Sequence, residues 1–286
     1  MQISMGFGNL YIVATPIGNL GDISERAIQT LKKVDAVIAE DTRHTLRLLN
    51  HFGIEKPILM LHDHNERDMS DKLLERLQKG ENFALVSDAG TPLIRDPGYR
   101  LCRGAHSRQI KVTPIPGASA IITALSIGAI PCDRFVFEGF LSAKPNSRLN
   151  QLETLAQEER SMVFYEAPHR LLSSLEDMVS VFGEERLAMV ARELTKKFET
   201  YKQDSLLALK NWVQFDPEQQ QGEIVIIVAG LKKEQTQLSE LNAETEMQLR
   251  VLMKELPIKQ ACRLVSEMTG IRKNILYEFA LKMPKN

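Results

Sequence analysis

Three turns rich in glycine and proline, each following a short apolar stretch, constrain the fold of this chain most. The turns are ATPIGNL, DAGTP and PIPGAS, at residues 14–20, 88–92 and 114–119. The apolar stretches before them are residues 10–13, 83–87 and 110–113. In an open α/β sheet, ligands bind in the crevice beyond the carboxyl ends of the strands. Three turns that expose backbone groups at that edge therefore predict a ligand pocket built largely from the main chain.

In the first part of the chain, short apolar runs alternate with helical patterns. The runs lie at residues 10–13, 36–39, 58–61, 83–86 and 110–112. Residues 23–34 carry apolar side chains at helical spacing, and Asp22 with Glu25 predicts a capping box at the start of that helix. Continuous apolar strands that alternate with helices are typical of a parallel sheet covered on both faces. We therefore predict a parallel-sheet α/β domain over residues 1–117.

A second alternating stretch follows Pro131. Its predicted strands are residues 134–137, 162–165, 187–191, 198–201 and 224–229, and its predicted helices are residues 147–157, 170–181 and 205–212. Some connections between these strands are too short for the helical crossover that a parallel pair requires. We therefore predict a second α/β domain, with a mixed sheet, over residues 118–231.

The C-terminal part of the chain differs in composition. Residues 232–246 are polar and rich in Glu, Gln, Ser, Thr and Asn, which predicts a linker or a solvated helix start. Two apolar stripes at helical spacing follow, at residues 256–268 and 271–280, and Gly270 separates them. Two short amphipathic helices joined at a glycine predict a helix-turn-helix-like module over residues 247–286.

Composition narrows the class of protein. The net charge of −1 gives no overall support for binding to nucleic acid or to a membrane surface. The three cysteines are far apart, so they fit neither a disulfide framework nor a C-x-x-C metal site. No apolar run approaches the roughly 20 residues that span a bilayer, and the N-terminus lacks the basic region of a secretory signal. We expect a soluble, cytoplasmic protein with free thiols.

Charged residues close several predicted strands. Glu40 and Asp41 stand beside Arg43 and His44. This group can hold a polar substrate, or it can form a helix N-cap favoured by the helix dipole. Asp88 can accept hydrogen bonds from ribose hydroxyls, or it can cap the helix that follows.

Carboxylates also end strands of the second predicted domain. Glu138, Glu166 and Glu193 can face the same cleft as Asp88, and one of them can act as a general base if it reaches the proton. Taken singly, each is more often a structural carboxylate paired with an arginine. Charged strand ends in both domains together predict an active site between the domains.

A histidine pair and several basic clusters complete the candidates. His62 and His64 have the H-x-H spacing of metal ligands. No third ligand stands at a suitable spacing, so substrate contact or a loop is favoured and no metal is predicted. Basic clusters at residues 43–47, 144–148 and 196–197 can contact phosphates, with a solvated helix face as the alternative for each.

Nine segments of the chain carry a resemblance to a known family. They are LYIVATPIGNLGDISERA (10–27), AEDTRHT (39–45), LHDHNE (61–66), VSDAGTPLIRDPG (86–98), PGASAIITALSIGAIP (116–131), FEGFL (137–141), FYEAPHRL (164–171), ARELTKKFET (191–200) and GEIVIIVAG (222–230). With these segments the chain resembles the tetrapyrrole methylase superfamily over nearly its whole length. Within it, the chain is most similar to the family of bacterial 16S ribosomal RNA (cytidine-2′-O)-methyltransferases, and residues 256–280 are similar to that family's small helical module.

The resemblance implies a cofactor, S-adenosylmethionine, bound in the cleft between two α/β domains. It implies that the pocket is lined by Pro16, Asp88, Thr91, Ile94, Ser119, Ala120, Tyr165 and Ala191. It also implies methylation of the ribose 2′ oxygen of a cytidine in 16S ribosomal RNA near the decoding centre. The implied partners are the RNA or the small ribosomal subunit, and a second copy of the chain in a homodimer.

The implied reaction needs a base near a ribose hydroxyl, because that hydroxyl is a poor nucleophile. The candidate bases are Glu40, Asp41 and Glu166. The residues expected to hold RNA phosphates and the target nucleotide are Arg43, His44, His62, His169, Arg170 and Lys196. Two alternatives stay open, a tetrapyrrole C-methyltransferase and a non-catalytic ribosome-binding protein. The C-terminal tail carries basic residues such as Lys254, Lys259 and Arg263, and together with the EDTRHT and FYEAPHR loops it favours RNA over a small macrocycle.

Overall fold

The computed structural model describes residues 6–231 and 243–283, and the chain divides into two units. The first unit comprises Met1–Ala156 with Arg160–Ala229, and the second comprises Gln157–Glu159 with Gly230–Asn286. The first unit contains two five-stranded sheets.

The first sheet is parallel throughout, as the apolar runs predict. Its strands are β1 (Asn9–Val13), β2 (Ala36–Ala39), β3 (Ile58–Met60), β4 (Phe83–Leu85) and β5 (Lys111–Ile115), in the order β3-β2-β4-β1-β5. The helices between them are α1 (Glu25–Lys33), α2 (Thr42–His51), α3 (Glu66–Gln78) and α4 (Tyr99–Ser107). Pro114 lies within β5, an edge strand, where a missing backbone N–H is tolerated.

Successive residues of the central strands pack into two different cores, one on each face of this sheet. Leu10, Ile38 and Phe83 belong to one buried cluster. Val13, Val37 and Ala84 belong to the other, together with residues of α1 and α2. Because both faces are buried, each strand reads as a continuous apolar run.

The second sheet is mixed. Its strands are β6 (Phe135–Phe140), β7 (Ser161–Glu166), β8 (Leu187–Arg192), β9 (Thr200–Ser205) and β10 (Ile224–Val228), in the order β6-β7-β10-β8-β9. The β6–β7 pair is parallel and the other three pairs are antiparallel. The helices are α5 (Ala120–Ile127), α6 (Pro145–Thr154), α7 (Leu171–Phe182) and α8 (Leu206–Phe215). One sheet face packs on α6, α7 and α8, and the other packs on α5 and on Ile17.

The capping box predicted at Asp22 and Glu25 is wrong. Helix α1 begins at Glu25, and its N-cap is Ser24, whose hydroxyl accepts the Ala27 N–H. Asp22 instead ends a short 3-10 helix, Leu20–Asp22, which Asn19 caps. Two good capping residues, Asp22 and Ser24, compete within three positions here, and the turn geometry decides between them.

The second unit is described by three helices, Ala243–Glu255, Ile258–Thr269 and Lys273–Lys282. Leu249, Cys262, Val265 and Leu276 form its core. The last two helices are those of the predicted helix-turn-helix, and Gly270 ends the first of them in a left-handed conformation. Helix Ala243–Glu255 begins within residues 232–246, in agreement with the alternative of a solvated helix start there; residues 232–242 lie outside the described part of the chain. No helix among the described residues is long and apolar enough to cross a membrane.

Candidate functional site

A cavity of about 370 Å³ lies at the carboxyl edge of the first sheet, where the loops of the second sheet meet it. Segments 88–96, 119–120, 165–168 and 222–225 provide most of its walls. Six of the eight residues predicted to bind the cofactor line this cavity: Asp88, Thr91, Ile94, Ser119, Ala120 and Tyr165. Residues from all three glycine- and proline-rich turns therefore lie around one pocket.

The turn after β4 is tied to the turn after β1. The Thr15 and Gly90 backbones exchange two hydrogen bonds, of 2.8 and 3.0 Å. Gly90 has a φ of 78°, and a Cβ there would lie 3.3 Å from Ile17. Glycine therefore meets both a conformational and a steric requirement at this point.

The loop at residues 91–98 is held in a strained shape. Leu93 and Arg95 have φ values of 75° and 69°, which residues other than glycine rarely adopt. The Glu66 carboxylate accepts the Gly98 N–H at 3.0 Å, and the Arg95 guanidinium donates to the Glu138 carbonyl at 2.7 Å. Contacts from α3 and β6 thus fix a loop that lines the cavity. Backbone strain of this kind concentrates at functional sites.

Three carboxylates lie near one another on this side of the cavity. Burial, and then the charges of Glu40 and Asp88, raise the pKa of Asp96 to about 6, against a hydrogen bond from Ser87. Burial, and then Asp88 and Asp63, raise the pKa of Glu40. Asp96 also contributes to the raised pKa of Tyr165, after burial. Asp88 and Asp96 belong to the cavity wall, so the cavity favours a cationic ligand.

Replacing Asp96 with asparagine is expected to stabilise the protein in a pH-dependent way. The pKa of Asp96 is about 6 in the folded chain and 3.8 ordinarily, so ionising it costs folding free energy. The destabilisation grows as pH rises from about 4 to about 6 and beyond, as the Asp96 carboxyl ionises. The titratable groups that face Asp96 are Glu40, Asp88 and Tyr165. Near neutral pH we expect the free energy of unfolding of the variant to exceed that of wild type by about 1 kcal/mol. This figure is reduced because the Asp96 side chain is partly exposed to solvent.

Urea unfolding of Asp96→Asn at neutral pH and at about pH 4 measures this effect. The exposed Asp133→Asn serves as the matched control and should change little at either pH. A gain of equal size at both pH values would contradict the account, as would a loss at neutral pH.

A second cavity, of about 310 Å³, adjoins the first and shares Ile17, Asp88, Ala89 and Glu223 with it. Its other walls include Pro16, Gly18, His44, Arg47 and Lys196. Pro16 therefore lines this cavity and not the first. His44 and Arg47 lie one turn apart on α2 and give this cavity basic residues, whereas the first cavity is rich in carboxylates.

Lys196 fastens the loop after β8 to its surroundings. Its ammonium lies 2.8 Å from Glu193 Oε1 and 3.2 Å from Glu223 Oε2. Burial lowers the pKa of Lys196, but the bonds to these carboxylates outweigh burial and raise it. A Cβ at Gly18 would lie 2.4 Å from Lys196 Cγ, so only glycine fits there. Lys196 is thus charged and already paired beside the second cavity.

Glu166 lines the first cavity, but its own contacts engage both of its carboxylate oxygens and the Arg170 guanidinium. Glu166 Oε1 accepts Arg170 Nη2 at 2.6 Å and the Ala167 N–H at 2.7 Å, and Oε2 accepts the Ser174 hydroxyl at 2.6 Å. The Glu166 side chain is fully buried. A carboxylate with both oxygens engaged is poorly placed to take a proton, and a guanidinium committed to it is poorly placed to hold RNA.

Two further predicted residues have structural positions. Ala191 is buried within β8, where it pairs with Val225 of β10, and it lines neither cavity; Val225 lines the first cavity instead. Asp41 is the N-cap of α2, and hydrogen bonds from Arg43 lower its pKa to about 2. The alternative of a helix cap therefore holds for Asp41, whose carboxylate is too acidic for a strong base.

The remaining predicted residues have mixed positions. Arg43 is exposed beside Asp41, and His169 is exposed in a 3-10 turn. His62 shapes its own loop, because its Nδ1 accepts the Asn65 N–H and its N–H donates to Asn65 Oδ1. Within residues 6–231 and 243–283, no group of three or more His, Cys, Asp or Glu side chains could hold a metal ion.

Several lining residues were missed from the sequence. They are Arg95, Asp96, Phe140, Leu194 and Glu223. Asp96 begins a D-P-G turn, a local signal for a loop but not for a charge in a cavity. The other four residues reach the cavity because loops that are distant in the sequence meet in the folded chain. Arg95, for example, lies where a Cβ on Gly139 would be, and nothing near Arg95 in the sequence indicates this.

The two-sheet architecture is that of known methyltransferases. The crystal structure of uroporphyrin-III-C-methyltransferase from Thermus thermophilus is similar with a TM-score of 0.55 and 15% identity, covering 78% of this chain and 94% of that chain. Likeness at this identity shows the fold alone.

Residues 9–210 match the family model of the Tetrapyrrole (Corrin/Porphyrin) Methylases, and the chain belongs to this family of methyltransferases. Residues 239–284 match the RsmI C-terminal HTH domain. A relative from Pseudomonas aeruginosa, "Ribosomal RNA small subunit methyltransferase I", is 52% identical over 97% of this chain and 98% of that protein. A relative of the same name from Haemophilus influenzae is 49% identical over 96% of each chain.

Proposed function

We propose that this chain transfers a methyl group from S-adenosylmethionine to the ribose 2′ oxygen of a cytidine in 16S ribosomal RNA. The observation that carries the proposal is 52% identity, over nearly the full length of both chains, to a ribosomal RNA small subunit methyltransferase I. The two adjoining cavities support it, because a methyl donor and a large acceptor need separate spaces that meet.

The first cavity suits S-adenosylmethionine by size and charge. Ligand pockets are mostly apolar with a few well-placed polar groups, and here Ile94 and Tyr165 stand with Asp88 and Thr91 in one wall. The cluster of Glu40, Asp88 and Asp96 favours the positive sulfonium, and Asp88 can accept hydrogen bonds from the ribose hydroxyls. When bound, this cofactor supplies an activated methyl group.

The protein's part in the reaction is positioning and proton transfer. Asp88 lies in the wall shared by the two cavities, where donor and acceptor would meet. Of the three candidate bases we retain Glu40. It directly precedes Asp41, whose N–H donates to Asp88 Oδ1 at 3.2 Å, and burial and the charge of Asp88 raise the Glu40 pKa. In this proposal Glu40 takes the proton of the 2′ hydroxyl while the neighbouring walls hold the two reactants in line.

The second cavity and its rim suit the acceptor nucleotide. His44 lines this cavity, and Arg43 precedes it on α2. Cationic side chains position a nucleic acid by its phosphates. His62 and His169 lie on loops and complete the proposed contacts, whereas Lys196, paired with Glu193 and Glu223, holds the loop that borders the second cavity. To enter so deep a site, the target nucleotide must leave its stack.

Ribosomal RNA as a substrate implies the cytoplasm as the compartment, and the resemblance implies a homodimer, which light scattering would test. No observation favours a tetrapyrrole or a purely structural role over RNA methylation. Transfer of a labelled methyl group to small ribosomal subunits, to free 16S RNA or to uroporphyrinogen separates these functions. Transfer to the RNA or the subunit supports the proposal, whereas transfer only to the porphyrinogen, or to none of them, overturns it.

A further inference from the structure

An exposed aromatic ring stands on the loop between β8 and β9. The Phe198 side chain is 65% exposed. The Lys197 ammonium lies 5.4 Å from the centroid of its ring, a cation–π distance. The ring is therefore accessible from solvent, with a cation beside it.

Hydrogen bonds within the loop define the shape that presents this ring. The Glu199 carboxylate accepts the Thr195 N–H at 2.6 Å, and the Glu199 N–H donates to the Lys196 carbonyl at 3.1 Å. Glu193 and Thr195 have φ values of 52° and 67°. The chain therefore accepts strain to hold this shape, which exposes Phe198 instead of folding it inward.

The same loop borders the candidate site. Leu194 lines the first cavity and Lys196 lines the second. Gly18 packs so closely on Thr195 and Lys196 that a Cβ there would collide with both. Phe198 is two residues beyond Lys196, so its backbone is close along the chain to a wall of the second cavity.

We propose that Phe198 and Lys197 form a stacking platform for an unpaired nucleobase next to the target nucleotide in a single-stranded RNA segment. This proposal rests on the proposed function. Any base has a flat face that stacks on an aromatic ring, and Lys197 supplies a charge for the adjoining phosphate. A second copy of this chain is the competing occupant, but a protein surface that covered the ring would also have to bury the Lys197 ammonium, which is expensive without a partner charge.

The test measures methyl transfer to small ribosomal subunits by Phe198→Ala. We expect the KM for the subunits to rise about 10-fold, with Kd for S-adenosylmethionine within about twofold of wild type, from the usual strength of base stacking. Phe198→Trp should restore KM, because it restores a ring, and Phe198→Leu should not. Phe215→Ala, at another exposed phenylalanine (82%), is the matched control and should leave KM unchanged. Lys197→Ala should weaken the dependence of binding on salt.

Two results would overturn the platform. One is an unchanged KM for Phe198→Ala. The other is a change from dimer to monomer in Phe198→Ala, seen by light scattering. That result would place the Phe198 ring in an interface with a second copy of the chain. If the wild type methylates no RNA, the proposed function has failed. Equilibrium binding of subunits by wild type and Phe198→Ala then decides the platform separately: weaker binding by the variant supports it, and equal binding overturns it.

Discussion

Replacing Glu166 by glutamine is expected to lower the free energy of unfolding by about 3 kcal/mol, the usual cost of removing one partner of a buried ion pair. The fully buried carboxylate neutralises Arg170 at 2.6 Å and accepts hydrogen bonds from Ser174 and Ala167. Glutamine keeps the shape but leaves the guanidinium without a counter-charge. Arg170 Nε is already buried with no hydrogen-bond partner, so the guanidinium has little other compensation.

Urea unfolding measures the loss, with Asp71→Asn as its control. Asp71 is also paired with an arginine, Arg108 at 3.1 Å, but its side chain is 69% exposed, and such pairs contribute at most about 1 kcal/mol. The double variant Glu166→Gln with Arg170→Met should recover part of the loss, since it removes the orphaned charge. Equal losses in the Glu166 and Asp71 variants would contradict the account.

The same variant decides between a structural and a catalytic Glu166. If it anchors the turn at residues 167–170, the folded fraction of Glu166→Gln keeps much of its methyl transfer. A general base would instead cost about 10²- to 10⁴-fold in rate. If the rate of methyl transfer falls by that much in protein shown to be fully folded, Glu166 is a catalytic residue.

Replacing Asp88 by alanine is expected to weaken the affinity for S-adenosylmethionine about 100-fold, which corresponds to one or two lost hydrogen bonds to a charged acceptor. Asp88 lines both cavities, accepts the Asp41 N–H at 3.2 Å and adds negative charge beside Asp96. Alanine removes both the acceptor and the charge. It also removes a cause of the raised pKa of Asp96, which should fall.

Calorimetry with two ligands separates the two contributions. Asp88→Asn keeps one acceptor oxygen and loses the charge, so its affinity should lie between those of wild type and alanine. For S-adenosylhomocysteine, whose sulfur is neutral, asparagine should cost less than it does for the sulfonium ligand. Asp133→Asn, an exposed control, should bind as wild type does. Wild-type affinity in Asp88→Ala would remove Asp88 from the cofactor site.

The fold could be predicted closely because its signals are local. Both sheets, their parallel and mixed character, and the approximate position of each strand follow from apolar runs and from the lengths of the connections. Strand β9 shows the limit. It is predicted at residues 198–201 but lies at Thr200–Ser205, in the polar sequence TYKQDS. An edge strand pairs on one side only, so it needs no apolar run to mark it.

The site could be predicted only in part, because burial and pairing are decided by tertiary structure. The turns placed Asp88, Thr91 and Ser119 around one cavity, as backbone geometry at a sheet edge implies. Glu166 and Glu40 both end strands, so the sequence alone does not distinguish them. In the folded chain, Glu166 is buried against Arg170, whereas Glu40 lies near the carboxylates of the cavity. Arg95 and Glu223 reach the cavity through loops that meet only in the folded chain.

Mass mapping of 16S ribosomal RNA, after small subunits are incubated with the protein and a donor that carries a deuterated methyl group, shows whether the chain methylates a cytidine ribose. We expect deuterium on the ribose of a cytidine with wild type, and its loss with Asp88→Ala at a donor concentration below that variant's Kd. Deuterium on a base atom, or none in the RNA while the donor binds the protein, would contradict the account.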